Sequence, residues 1–421
     1  MARKRVAVIG SGVSGMTAAY LLERAYDVTL FEAGSRLGGH AHTHLIPAPS
    51  GKTVVVDSAV MIVRPASYPT LMRLFGELGT ATRDHGPITL SVTCTACGFA
   101  NPEAHDLQAV PPRPPGVAEP EWKRFTDDAA RLTTDLLTAL TSTSDDHTIG
   151  DFIDAGAYSS YYVEHLLMPA MVTNNTQYAE QVRRFSLRAM FDVWNQHGLL
   201  NGNTGWRSVV GGTKSYLDAI AARLSAVRLF TAVDEVRRTA DGVDVRDRTG
   251  AVHAFDKAVI ATHPRQALNM LAEPTDLQAE LLGAVEYTTN TGVLHTDTSL
   301  LAVGTDMHRL MNYRRTTCEP STTEQAVSLE LSLTQGISEQ DTYIATYNGE
   351  AHLIAPDHRH AELTYEHLVL TPRTAAAQQR LREISDDRIA FAGAYHSMGG
   401  YHEDGCRSGV LAAEHLGVTW L

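Results

Sequence analysis

The residues best placed to do chemistry lie near the start of the chain. Gly10-Ser11-Gly12-Val13-Ser14-Gly15 sets three glycines at the G-x-G-x-x-G spacing, and an acid, Glu32, follows. That pattern recognises a dinucleotide through the main chain. Gly10 permits a tight turn, Gly12 lets a pyrophosphate approach the backbone, and Gly15 lets a helix lie close to a strand. Free N–H groups at the helix start offer partial positive charge to the phosphates. Glu32 would accept hydrogen bonds from ribose hydroxyls and repel a 2′-phosphate, which disfavours NADP.

A second glycine pair follows in Ala33-Gly34-Ser35-Arg36-Leu37-Gly38-Gly39-His40. It implies another close approach of backbone to ligand, with Arg36 available to pair with a phosphate. An NAD site has no need of this loop, whereas a longer flavin dinucleotide does. Near the other end, Phe391-Ala392-Gly393-Ala394-Tyr395 precedes Gly399-Gly400-Tyr401-His402-Glu403-Asp404-Gly405. A strand that breaks at glycine and re-enters a helix presents N–H groups able to stabilise negative charge near N1 and O2 of a reduced flavin.

Around these motifs, Arg5–Ile9 reads as a buried strand, Met16–Arg24 as a helix and Asp27–Phe31 as a second strand. Helical periodicity runs over Glu121–Leu140, Ile149–Met171 and Phe185–Trp194. Val233–Arg237 and Val243–Arg246 alternate like a hairpin about Ala240-Asp241-Gly242, and Ala258–Thr262 reads as a buried parallel strand. Thr291–Thr296, Ala326–Leu333 and Tyr343–Tyr347 read as strands of a separate sheet, and a terminal helix is expected from about Gly405 to Leu416. The nucleotide-binding parts thus lie at both ends and in the middle. They predict an FAD-binding domain from residues 1–60, 205–270 and 385–421, interleaved with a substrate domain from 61–204 and 271–384.

The 421 residues allow two or three domains, and a charged content of 20% is that of a globular chain. A formal net charge of −13 argues against a nucleic-acid partner. No stretch has the length of a membrane-spanning helix, and the first strand starts almost at Met1, so the expectation is a cytoplasmic protein. Cys94-Thr-Ala-Cys97 lacks a second C-x-x-C, so the pair reads as two free thiols rather than a zinc site. His40-Ala-His42-Thr-His44 would share a face on a strand, but no metal is expected there.

Together the motifs resemble the flavin-containing amine oxidase superfamily, which includes phytoene desaturases and protoporphyrinogen oxidases. They resemble more narrowly a bacterial group of NAD/FAD-binding proteins, through Leu37-Gly38-Gly39-His40, Asn195-Gln196-His197-Gly198, Trp206-Arg207-Ser208-Val209-Val210-Gly211-Gly212, Leu294-His295-Thr296-Asp297 and His402-Glu403-Asp404-Gly405. The resemblance implies an α/β, Rossmann-type FAD-binding domain and an α+β substrate domain with a mixed sheet and helices. It implies FAD held non-covalently by Gly10, Ser11, Gly12, Ser14, Gly15, Glu32, Ala33, Arg36, Gly38, Gly39, His40, Val233, Gly393 and Ala394, with His402, Glu403 and Asp404 near the ring. The superfamily moves hydride from a C–N or C–C bond to the flavin.

Three departures stand out. Ala394 replaces an acid, Asp57-Ser58-Ala59 replaces Asp-x-Gly, and the strand Asn290–His295 lacks the lysine that helps amine oxidases react with oxygen. A Cβ at residue 59 would crowd a flavin ring. Trp194, Asn195, His197, Trp206, Tyr395 and Tyr401 are the expected substrate residues, with Trp194 and Trp206 alternatively core anchors. His402 is the expected acid–base group, or alternatively a cofactor hydrogen-bond partner. The expected function is an FAD-dependent dehydrogenase or desaturase that forms C=C or C=N in an apolar or alkyl small molecule. The alternatives are a flavin-dependent double-bond isomerase or cyclase, and a non-catalytic flavin-binding protein.

Overall fold

A computed structural model describes residues 3–60, 62–142, 144, 146–173, 176–196, 204–301, 309–320, 325–397 and 399–420. Its centre is a five-stranded parallel sheet in the order Ile389–Phe391, Lys257–Ile260, Arg5–Ile9, Asp27–Phe31, Ala226–Arg228. Val6, Ala7 and Val8 are wholly buried, because helices cover one face of this sheet and a three-stranded antiparallel sheet covers the other. The helix Val13–Leu22 is buried almost all round, which its run of apolar and small residues permits.

The second layer is a seven-stranded sheet ordered Arg359–Val369, Glu286–His295, Ile344–Tyr347, Gln325–Glu330, Met311–Arg315, Leu90–Cys94, Phe99–Asn101. It is mixed: Met311–Arg315 pairs parallel with Leu90–Cys94, and its other pairings are antiparallel. Helices between Glu119 and Gln196 pack on it through an aromatic core that includes Phe125, Tyr162 and Phe185.

Several boundaries differ from expectation. The helix Pro69–Leu78 falls in the stretch assigned to the substrate domain, yet Leu71, Leu74 and Phe75 pack into the parallel-sheet core beside Tyr216. Leu281, Leu282, Ala377 and Leu381 likewise join the core on the sheet's other face. Amphipathic helices follow their apolar stripe to the nearest uncovered sheet, whichever insertion carries them. The run Ala326–Leu333 stops being a strand at Glu330 and turns into the short helix Leu331–Gln335. The terminal helix begins at His402 rather than near Gly405. Among the described residues no helix is long and apolar enough to cross a membrane.

Candidate active site

A cavity of about 680 Å³ runs from the glycine loop of the parallel sheet to the seven-stranded sheet. The three glycines of the fingerprint do three different jobs around it. Gly10 has φ +98°, and a Cβ there would meet the Ala261 carbonyl oxygen at 2.8 Å, so the turn excludes other residues. A Cβ at Gly15 would lie 1.9 Å from the Gly10 carbonyl oxygen; this glycine serves helix–strand packing and does not line the cavity. A Cβ at Gly12 would meet nothing within 4 Å, so the space beside its backbone is open for a ligand.

Glu32 is fixed beside this loop. Its carboxylate accepts from the Ser11 N–H at 3.1 Å, from the Ser11 hydroxyl, and from the Gly34 N–H at 2.8 Å. Ser11 also accepts from the Gly38 N–H through its carbonyl at 3.0 Å and its Oγ at 3.2 Å, which docks the second glycine loop on the first. Ser11, Gly12, Ser14, Glu32, Ala33, Gly38, Gly39, His40 and Val233 all line the cavity. Arg36 does not. Its guanidinium donates to the carbonyls of Gly39 at 2.7 Å, Ala41 at 3.2 Å and Leu37 at 3.4 Å, so it clamps its own loop.

The C-terminal motif divides in the same way. Gly393, Ala394, Tyr395, Gly399, Gly400, Tyr401 and His402 line the cavity at the N-terminus of the helix His402–His415. Glu403 faces away, accepting from the N–H groups of Thr70 at 3.0 Å and Leu71 at 2.9 Å, where it caps the helix Pro69–Leu78. Asp404 accepts from the Tyr401 N–H at 2.9 Å, and burial raises its pKa to about 6. Both acids hold the loop and helix starts in place, and neither lines the cavity. The His402 ring nitrogen Nε2 lies 2.7 Å from the Tyr216 hydroxyl, and burial lowers its pKa to about 3. It is therefore neutral at physiological pH, which removes the near-neutral titration behind its expected acid–base role.

Two helices start at this cavity. Gly405 and Gly409 let them pack in close contact: a Cβ at Gly409 would lie 2.3 Å from the Ser14 carbonyl oxygen, and one at Gly405 would lie 2.5 Å from Val13 Cγ1. Two partially positive N-termini thus face one cavity, at Gly12 and at Tyr401.

The far end of the cavity includes residues that the sequence did not single out. Thr176 and Gln177 stand beside it, and Thr176 adopts a left-handed conformation at φ +52°. That conformation is strained for a β-branched residue. It is held by the amides of Asn290 and Asn348, which both donate to the Thr176 carbonyl, Asn348 at 2.9 Å. The Gln177 amide nitrogen donates to the Leu368 carbonyl at 2.8 Å, while Gln177 Oε1, Thr176 Oγ1 and Tyr395 OH are buried with no partner among the described residues. Orphaned buried polar atoms around a cavity are what a bound group would satisfy. The sequence clue was Thr173-Asn-Asn-Thr-Gln177, a polar break straight after an apolar helix.

Histidines line the wall between the two ends. The His40 ring centroid lies 5.5 Å from that of His367 and 6.2 Å from that of His263, and the His263 ring stacks on Tyr287 at 4.3 Å. Burial, with His367 and His263 alongside, keeps the His40 pKa well below the ordinary value, and burial lowers that of His367 to about 4. His42 and His44 do share a face, at 3.9 Å between rings, but His42 Nδ1 lies 2.9 Å from the Tyr365 hydroxyl and His44 Nε2 2.8 Å from Ser58 Oγ.

Trp206 lines the cavity, whereas Trp194 is buried in the helical core. Asn195 is exposed and does not line the cavity, and His197 lies outside the described residues. Ala59 is a lining residue, so its Cβ does occupy the cavity wall. No lysine lines the cavity; Lys214 pairs with Asp218 at 2.6 Å on the surface.

A family profile described as flavin containing amine oxidoreductase matches residues 13–299. The chain belongs to that family. The chain is 25% identical to an L-amino-acid oxidase of Siganus canaliculatus over 332 residues, 70% of this chain and 57% of the relative. It is 34% identical to a tryptophan 2-monooxygenase of Allorhizobium ampelinum over 128 residues, 29% of this chain and 17% of that protein. The matched stretches thus span well under two thirds of these relatives. Among solved structures, cyclohexylamine oxidase from Brevibacterium oxydans superposes with a TM-score of 0.70 at 17% identity, covering 98% of each chain. The cofactor of the family, FAD, fits what this chain presents: an open backbone beside Gly12, an acid fixed at Glu32, and two helix N-termini on one cavity.

Proposed function

We propose that this flavin amine oxidoreductase removes hydride from an uncharged, largely apolar small molecule, forming C=N or C=C, and passes its electrons to an acceptor other than oxygen. The observation that carries this reading is the chemistry of the cavity. Apart from histidines, its charged lining residues are Glu32, Asp234 and Arg248, which accompany the glycine loops and Val233. The opposite end has Tyr68, Trp206, Met311, Leu329, Tyr347 and Tyr401. Among the described residues no arginine stands there to hold an amino-acid carboxylate, and no acid to hold a second ammonium.

The pyrophosphate would lie on the N–H groups after Gly12, the ribose hydroxyls on Glu32, and the ring beside Gly399–His402. FAD, when bound, supplies a two-electron acceptor for the departing hydride. The chain's own residues orient the substrate and exclude water. Gln177 Oε1, with its amide nitrogen anchored, would accept a hydrogen bond from the substrate's single N–H or O–H group. The absence of lysine from the cavity supports slow reaction with oxygen.

The test is anaerobic mixing of the purified yellow protein with a panel of hydrophobic amines, amino acids, diamines and alkyl compounds. Bleaching of the flavin by apolar members, with little hydrogen peroxide in air, is the expected result. Bleaching confined to amino acids or diamines would overturn the substrate class. Rapid peroxide formation would make the protein an oxidase. Product formed while the flavin stays oxidised would make it an isomerase.

A further inference from the structure

The cysteine pair set aside in the sequence meets two more ligands in space. Cys94 ends a strand, Cys97 lies in the turn that follows, and Phe99 begins the return strand, with Cys94 and Phe99 paired. His165 comes from a π-helical turn, Val163–Leu167, and Cys318 from the loop after the strand Met311–Arg315. The four ligand atoms all lie within 4.8 Å of one another. Cys94 Sγ is 3.8 Å from Cys318 Sγ, and Cys97 Sγ is 3.7 Å from His165 Nε2. Tetrahedral zinc with metal–sulfur bonds of about 2.3 Å needs ligand atoms about 3.8 Å apart.

We propose that Cys94, Cys97, His165 and Cys318 bind one zinc ion as a closed structural site, outside the cavity proposed for the flavin. None of the four lines that cavity.

The surroundings are arranged for this role. His165 Nδ1 lies 3.0 Å from the Tyr161 carbonyl, which can only accept, so Nδ1 carries the hydrogen and Nε2 turns its lone pair to the cysteines. The ring stacks on Tyr161 at 4.0 Å and is fully buried, which fixes its direction.

One buried arginine connects the outlying ligands. Arg315 donates to the carbonyls of Thr317 at 3.1 Å and Glu319 at 2.7 Å, on either side of Cys318. It also pairs with the carboxylate of Glu164 at 2.6 Å, next to His165. This brings a loop and a helix from distant parts of the sequence to the Cys94–Cys97 turn. The sequence argument against zinc counted ligands along the chain; the fold supplies the other two.

The test is metal analysis of the holoprotein as isolated from zinc-supplemented cells, with flavin content measured on the same sample. Stoichiometric zinc is expected, released by a mercurial reagent in proportion to the thiols modified. Cys318→Ser and His165→Ala are expected to lose most of it, and Cys406→Ser, whose thiol contacts Thr17, to keep it. Should the ligand variants not fold, cobalt incorporated into the unaltered chain during growth should give thiolate–cobalt absorbance to the red of the flavin bands. Metal-free protein with four titratable thiols, or a disulfide among Cys94, Cys97 and Cys318 in the protein as isolated, would overturn the proposal. Both results can be read whatever the substrate is.

Discussion

The two ends of the cavity are built by different means. At the end proposed for the nucleotide the lining is main chain: glycine loops, helix starts, and one acid fixed by its neighbours. At the proposed substrate end the lining is side chains from separate segments, Gln177 after a helix, Tyr347 on an inner strand, Tyr365 on an edge strand and Trp206 in a connection. Backbone recognition demands particular residues at particular spacings in one stretch. Side-chain recognition needs only that the fold bring suitable groups together. The first therefore leaves a written pattern, and the second does not.

The largest effects should separate two glycines of the same motif. Gly15→Val places atoms on the Gly10 carbonyl and is expected to abolish soluble, folded protein. Gly12→Val, where the added Cβ meets no protein atom, is expected to fold normally and purify colourless. Circular dichroism with flavin absorbance distinguishes them; a yellow Gly12→Val protein would break the contrast between packing glycine and ligand glycine.

At the other end, Gln177→Leu should leave flavin content unchanged and raise KM by about tenfold, the worth of one hydrogen bond at about 1.4 kcal/mol. Steady-state kinetics with reduction of an artificial acceptor would show it. An unchanged KM would mean that the orphaned Oε1 does not meet the substrate.

Acid should weaken the whole molecule. Burial lowers the pKa values of His402 and His42 to about 3, and those of His44, His295, His367 and His396 to about 4. A group whose folded pKa is depressed gives stability above its unfolded value, near 6.5, and loses it as pH falls toward the folded value. Asp57 and Asp404, raised to about 6, act in the opposite direction over the same range but are fewer. The thermal midpoint is expected to fall as pH drops from about 6.5 to about 4. A midpoint that rises over this range would mean that the two carboxyls dominate.

The smallest effect should come from Tyr216→Phe. It removes the hydroxyl 2.7 Å from His402 Nε2 and should cost about 1–2 kcal/mol in urea denaturation. Flavin binding should persist, because the helix N-terminus at His402 is unchanged.

Much of the nucleotide end was legible because periodicity and glycine spacing are local. The strands about Gly10, the hairpin after Val233 and the terminal helix were all visible in the sequence. Arg36, Glu403 and Asp404 do not line the cavity, which the sequence could not show: position says that a polar group is near a ligand, not whether backbone partners already occupy it. Thr176 and Gln177 were missed because their importance rests on Asn290 and Asn348, contributed by a different layer. The Cys94–Cys97 pair shows the same limit, since His165 and Cys318 approach it only after the sheet and helices assemble.

The glycine seam between the helices Val13–Leu22 and His402–His415 turns the molecule into a caliper. With Gly405 and Gly409 seated on Val13, Ser14 and Thr17, the two jaws cannot slide relative to each other. Any coenzyme would be gauged by its span as well as its chemistry: FMN, with the same ring but no adenosine, would leave the space beside Glu32 and Val233 unfilled. Its substitution for FAD should fail even where its ring is identical.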